Sequence, residues 1–187
     1  ATDTIPLFKS RWGARFSARA SGSLACSVLG GSGMASNDIT IYDRLRESHE
    51  RQRSFFRKLL RTSSGPQREV LFRELRIELA AHAAAEERFL YAVILMQDAG
   101  LKSSRHALSE HHDIDEIIED MHKLDVAGDA WMGKARELSH KVHHHLREEE
   151  KKFFQVSGKL LSQTAKVRLG REYAKDYQRL VEKPLLS

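Results

Sequence analysis

Two stretches of this chain read as amphipathic helices whose apolar stripes are each broken at one place, by a histidine and a glutamate four residues apart. The first stripe is Leu75, Leu79, His82, Glu86, Leu90 and Val93, and the second is Leu138, Val142, His145, Glu149, Phe153 and Val156. Both advance in steps of 4, 3, 4, 4 and 3 residues and they lie 63 residues apart, so one helical unit is used twice. Residues at i and i+4 share a helix face. A bare imidazole or carboxylate in a helical core costs several kcal/mol unless it is paired. The fold must therefore bring the two insertions to something that satisfies them.

The helices that precede these two carry single insertions. His49 shares a stripe with Gln52, Phe56 and Leu59, and His111 shares one with Ile114, Ile118 and Met121, 62 residues further on. Breakers divide the chain from residue 40 onward into five helices. Thr40 to Asp43 forms a capping signature for a first helix over 40–61. Ser63-Ser64-Gly65-Pro66 ends it and starts a second over 66–98, with Gly100 as the expected stop. A third spans 103–124. Asp129 is the expected cap of a fourth over 130–161, and a fifth covers 163–182. Connections this short make sequential helices antiparallel neighbours. The predicted fold is all-α, an up-down-up-down four-helix bundle over 38–162 with an additional C-terminal helix over 163–187.

The depths of the insertions agree. His49 lies 15 residues before the first turn, near residue 64, and His82 lies 18 after it; His111 lies 16 before the second turn, near residue 127, and His145 lies 18 after it. All four reach the same level to within about one helical turn, roughly 5 Å. Four imidazoles and two carboxylates in one layer are a costly arrangement that a metal pair relieves, since it binds neutral imidazole and ionised carboxylate directly. The mixed nitrogen and oxygen donors suit iron or manganese, and zinc ranks behind them because it favours four-coordinate sites and often thiolate. Asp115, one turn from His111 on the same face, is the candidate for a further ligand.

The runs Ser48-His49-Glu50, His82-Ala83-Ala84-Ala85-Glu86-Glu87, Glu110-His111-His112 and His144-His145-Leu146-Arg147-Glu148-Glu149-Glu150 resemble the hemerythrin HHE cation-binding family, as do the following pairs Leu90-Tyr91 and Phe153-Phe154. The resemblance spans about residues 40–160. It implies metal ligation by His49, His82, Glu86, His111, His145 and Glu149. It also implies a non-haem di-iron centre with carboxylate and oxo or hydroxo bridges, which takes dioxygen, nitric oxide or a peroxide as its small partner. The respiratory carriers of that family have a second histidine one turn after the third-helix ligand, where this chain has Asp115.

Three functional classes follow: a di-iron binding, sensing or storage protein, a di-iron redox enzyme that decomposes peroxide, and a helical interaction module with zinc or no metal. A ferritin-like site is a rival within the same architecture, through Glu119 with His122 and Glu137 with His140. Its level on the first two helices offers only Phe56, Leu59 and Leu60. His106, His112, His140, His143 and His144 read as polar-face residues, and Glu148 to Glu150 as a solvated face apart from Glu149.

Charge narrows the partners. The chain carries net +5, but Lys9, Arg11, Arg15 and Arg19 stand against Asp3 alone in residues 1–33, so the excess belongs largely to that segment. The bundle itself gives a nucleic-acid partner little support. Residues 1–37 read as a leader, tag or targeting segment. No apolar run approaches a bilayer span, so a cytoplasmic chain without a membrane partner is expected, with organelle targeting left open by the leader. A single cysteine, Cys26, excludes an intrachain disulfide and a cysteine-only zinc site. Oligomeric state is open.

Overall fold

A computed structural model describes residues 38–184. The leader assigned to 1–37 lies outside them. Helix α1 is Ile41–Leu59, and the expected capping box is formed: the Asp43 N–H donates to Thr40 Oγ1 at 3.3 Å and the Thr40 N–H donates to Asp43 Oδ2 at 2.9 Å. Helix α2 comprises Pro66–Glu86, a π-helical turn Glu87–Tyr91 and a last α-turn Ala92–Leu95. Helix α3 is Asp98–His122. Helix α4 comprises Asp129–Glu148, a π-helical turn Glu149–Phe153 and Phe154–Leu160. Helix α5 is Gln163–Glu182, capped by Ser162, whose hydroxyl accepts from the Ala165 N–H at 3.2 Å. The described residues contain no strand. The fold is an all-α bundle in which α1 packs on α2, α3 packs on α4, and α5 lies across α1 and α2.

Two boundary expectations are corrected. Gly100 does not stop the second helix; it sits buried in the first turn of α3. A Cβ there would fall 2.3 Å from Ile94 Cγ2 and 2.6 Å from the Ile94 carbonyl oxygen, so the residue is glycine to let the end of α2 come close. Asp129 is the first residue of α4 rather than its cap, which is Gly128.

The two π turns shift the stripes. Each adds a residue to one turn of helix, and beyond it the buried position moves on by one. Ile94 is fully buried where Val93 was expected, and Ser157 where Val156 was expected. Both turns lie at the site glutamates: one starts directly after Glu86 and the other at Glu149. Such turns recur at functional positions, where the widened helix re-aims side chains.

The core falls into two apolar clusters. One gathers Leu45, Ala85, Leu90, Tyr91, Ala107, Phe153, Phe154 and Tyr173; the other gathers Phe56, Leu75, Leu79, Ile114, Met121, Trp131, Leu138 and Val142. Along every bundle helix the site residues fall between them. The level of the ferritin-like rival belongs to the second cluster, and Glu119, His122, Glu137 and His140 are exposed.

Helix α5 reaches the bundle through Gly170, where a Cβ would lie 2.7 Å from the Thr40 carbonyl carbon and 2.8 Å from the Ile41 nitrogen. Backbone cannot step aside as a side chain can. Gly170→Ala is therefore expected to destabilise the chain by about 1–3 kcal/mol, read as a lower urea midpoint with an unchanged slope.

Candidate metal centre

The polar layer is buried. His49 and Glu86 are both 0% exposed, and His82, Glu149, His111 and His145 are buried beside them. Their donor atoms converge in two sets. His49, His82, Glu86 and Glu149 place one atom each within 4.8 Å of one another, and so do Glu86, His111 and His145. Glu86 belongs to both. Its Oε2 lies 3.3 Å from His82 Nε2 and 3.6 Å from His111 Nε2. On the far side His49 Nε2 is 3.3 Å from Glu149 Oε2. Six of the seven residues singled out in the sequence thus come together, and Asp115, partly buried further along α3, is in neither set.

Every imidazole is held from behind. His49 Nδ1 bonds Glu150 Oε1 at 2.7 Å, His111 Nδ1 bonds Glu87 Oε1 at 2.8 Å, and His145 Nδ1 bonds Glu110 Oε2 at 3.0 Å. His82 Nδ1 faces the hydroxyl of Tyr173 at 3.1 Å. A carboxylate can only accept, so three of the rings carry their proton on Nδ1 and turn the Nε2 edge inward. These outer groups are not evident from helical spacing. That spacing places Glu150 on a solvated face, yet Glu150 is half-buried and also accepts from Arg53 at 3.0 Å. A signal was there, in the second glutamate that follows each site glutamate and the one that precedes His111.

The repeat is broken at one of these partners. Ser48 stands where Glu110 stands in the second half, and it is too short to back an imidazole. Its hydroxyl instead donates to Glu78 Oε1 at 2.7 Å, while Tyr173 of α5 fills the space behind His82. No local pattern announces Tyr173, because it comes from outside the repeated unit. The two carboxylates of the layer also differ. Glu149 Oε1 accepts from the Tyr91 hydroxyl at 2.9 Å, whereas both oxygens of Glu86 lack a hydrogen-bond partner.

Electrostatics follow from this burial. Burial opposes a charge on His49, but Glu149 and Glu150 outweigh it and raise its pKa to about 9. For His111 burial is again opposed, by Glu87 and Glu86, and the value is raised to about 8. His82 lies well below the usual range, first through burial and then through the charge on His49. Burial also lowers His145, with His111 adding to the effect. His111 Nε2 and His145 Nε2 stand 3.1 Å apart, so a proton on the first satisfies both when no cation is present.

A cation needs those lone pairs. Filling the layer at pH 7 is expected to release about two protons, from His49 and His111, and almost none above about pH 10. Affinity should rise with pH over the same range. The sign is opposite for the metal-free chain: these two raised values add stability that is complete below the ordinary histidine pKa near 6.5 and is lost as pH rises through 8 and 9. Titration calorimetry in buffers of different ionisation enthalpy counts the protons; a count of zero at pH 7 would contradict the protonation states described.

Several atoms of the layer stay unsatisfied within the chain. His49 Nε2, His82 Nε2, both oxygens of Glu86 and Glu149 Oε2 are buried without a hydrogen-bond partner. Orphaned groups of this kind each cost of order 1–3 kcal/mol. All five face the layer, and all are atoms that ligate cations, so the residues present fit a metal pair.

The comparisons agree with this chemistry. Residues 40–156 match the hemerythrin HHE cation-binding domain. A solved structure of a hemerythrin HHE cation-binding domain-containing protein from Mycobacterium kansasii superposes with a TM-score of 0.71 at 20% identity, over 77% of this chain and 88% of that one. A DNA nickase from Nostoc sp. is 25% identical over 134 residues, which is 72% of this chain and 37% of the nickase, so the chain spans little more than a third of that relative. The matched segment runs from the cap of α1 into the last turns of α4 and takes in all four histidines and both glutamates of the layer; the chain belongs to the hemerythrin HHE cation-binding family.

Proposed function

We propose that the layer holds two iron ions and that the protein binds dioxygen, nitric oxide or a related small molecule there, as a carrier, sensor or store. The observation that carries this reading is the set of five buried nitrogen and oxygen atoms that face one layer without a hydrogen bond. His49, His82, Glu86 and Glu149 would hold one ion, and Glu86, His111 and His145 the other. A bound iron pair would supply open positions and redox chemistry for the small ligand.

The chain's own residues would do the rest. The apolar clusters above and below keep bulk water from the layer. Glu150, Glu87 and Glu110 orient three imidazoles and raise their basicity. Tyr91 stays a neutral donor at Glu149 Oε1, because burial first and then the charges of Glu149 and Glu86 hold its pKa well above the phenol range. The second set contains three protein donors against four in the first, which favours the ion at His111 and His145 as the one that meets the external ligand. Asp115 takes no part in this arrangement.

Anaerobic reconstitution with ferrous iron followed by air tests the reading. Two irons per chain and charge-transfer bands of an oxo bridge are expected. A chain that takes up no iron would overturn it. Rapid turnover of added hydrogen peroxide would move it from binding to catalysis, and no described helix is long and apolar enough to cross a membrane and complicate the assay.

A further inference from the structure

Glu110 is a buried carboxylate with a partner on each side. Its Oε2 accepts from His145 Nδ1 at 3.0 Å on the inside, and on the outside His106 Nε2 lies 3.8 Å from the same oxygen. His106 is on the preceding turn of α3 with a side chain 61% exposed, and Glu148 of α4 stands across from it at 3.2 Å. The donor atoms of His106, Glu110 and Glu148 all lie within 4.8 Å of one another. His144 adds a second imidazole at the rim, with Nε2 4.0 Å from Glu110 Oε1. One imidazole and two carboxylates, with a further imidazole beside them, are a donor set for a first-row divalent ion.

The other half of the repeat shows what this corner looks like without such donors. The positions equivalent to His106, Glu110 and Glu148 are Arg44, Ser48 and Ala85. There α5 closes the face, with Leu169 and Tyr173 packed in the same cluster as Ala85. Over α3 and α4 no described helix does so. The donors therefore gather on the face that the fifth helix leaves open, and one of them, Glu110, is already a partner of the buried centre. Glu148 is held by Lys152, but Lys152 is 73% exposed and an exposed ion pair yields at little cost.

We propose that His106, Glu110 and Glu148 form a third cation site, which captures a divalent first-row ion at the surface and delivers it past Glu110 to the buried layer. The delivery half of this proposal rests on the reading of the buried layer as a metal centre; the surface site does not. A cation held at the outer edge of Glu110 raises the local ion concentration a few ångströms from His145, and a charged mouth of this kind speeds uptake.

Manganese(II) chloride is a suitable probe, because the resonance of the free ion disappears on binding. The full-length chain is compared with a His106→Ala/Glu148→Gln variant, which leaves every buried ligand and every outer partner in place. The expected result is one ion fewer per chain and filling of the remaining sites slowed at least about tenfold. An unchanged ion count overturns the site. Loss of the ion with an unchanged filling rate overturns its role in delivery. A wild-type chain that binds a single ion, and loses it in the variant, supports the surface site while defeating the reading of the buried layer. Circular dichroism of the variant controls for folding.

Discussion

Glu86→Gln should empty the metal layer. Glu86 is the one residue common to both donor sets, and neither of its oxygens has a hydrogen-bond partner. An amide of the same shape keeps the packing but loses the charge and one acceptor, so the two donor sets can no longer share a carboxylate. Affinity is expected to fall by more than about 100-fold, beyond the effect of removing an outer partner. Glu149→Gln makes the comparison sharp. Glu149 contributes to the first set only, and its other oxygen is already engaged by Tyr91. That variant should keep an ion at His111 and His145. Metal analysis after gel filtration reads both outcomes, and equal losses in the two variants would show that the carboxylates are interchangeable, against the asymmetry of the structure.

Removing metal should cost the protein a large part of its stability. In the metal-free layer, buried imidazole and carboxylate atoms from α1, α2 and α4 face one another at 3.3 Å without a hydrogen bond. Ligation is specific to the folded state, since the unfolded chain does not hold six donors in register. At free iron 1,000-fold above the dissociation constant each ion adds about 4 kcal/mol. For a chain of this length that raises the melting temperature by roughly 15–30 °C when both positions fill. Melts of chelator-treated and iron-loaded protein under anaerobic conditions check this. Coincident curves would mean that the layer is satisfied without metal, and the proposed function would fail with them.

Much of the centre was legible in the chain because a helix turns linear spacing into a face. Steps of 4 and 3 residues placed His82 with Glu86 and His145 with Glu149, and equal distances from the two turns placed His49 and His111 at their height. None of that needs tertiary information. The errors cluster where the helix departs from its ideal period or where a residue acts across helices. The π turns moved burial from Val93 to Ile94 and from Val156 to Ser157, a shift that an even 3.6-residue period cannot show. Gly100 looked like a stop because glycine often ends helices, yet here it admits Ile94.

Local periodicity and the cost of burying unpaired polar groups are enough to give the helical class, the repeated hairpin and the layer of four imidazoles and two carboxylates. Which groups stand behind those rings is set by the packing of the helices. Glu150 crosses from α4 to His49, Glu87 from α2 to His111, and Tyr173 from α5 takes the place that Ser48 is too short to fill. Partners between helices follow from how the rods are packed and rotated against one another. That is a property of the assembled core: the glutamates beside the site residues are visible in the chain, but not which ring each of them backs.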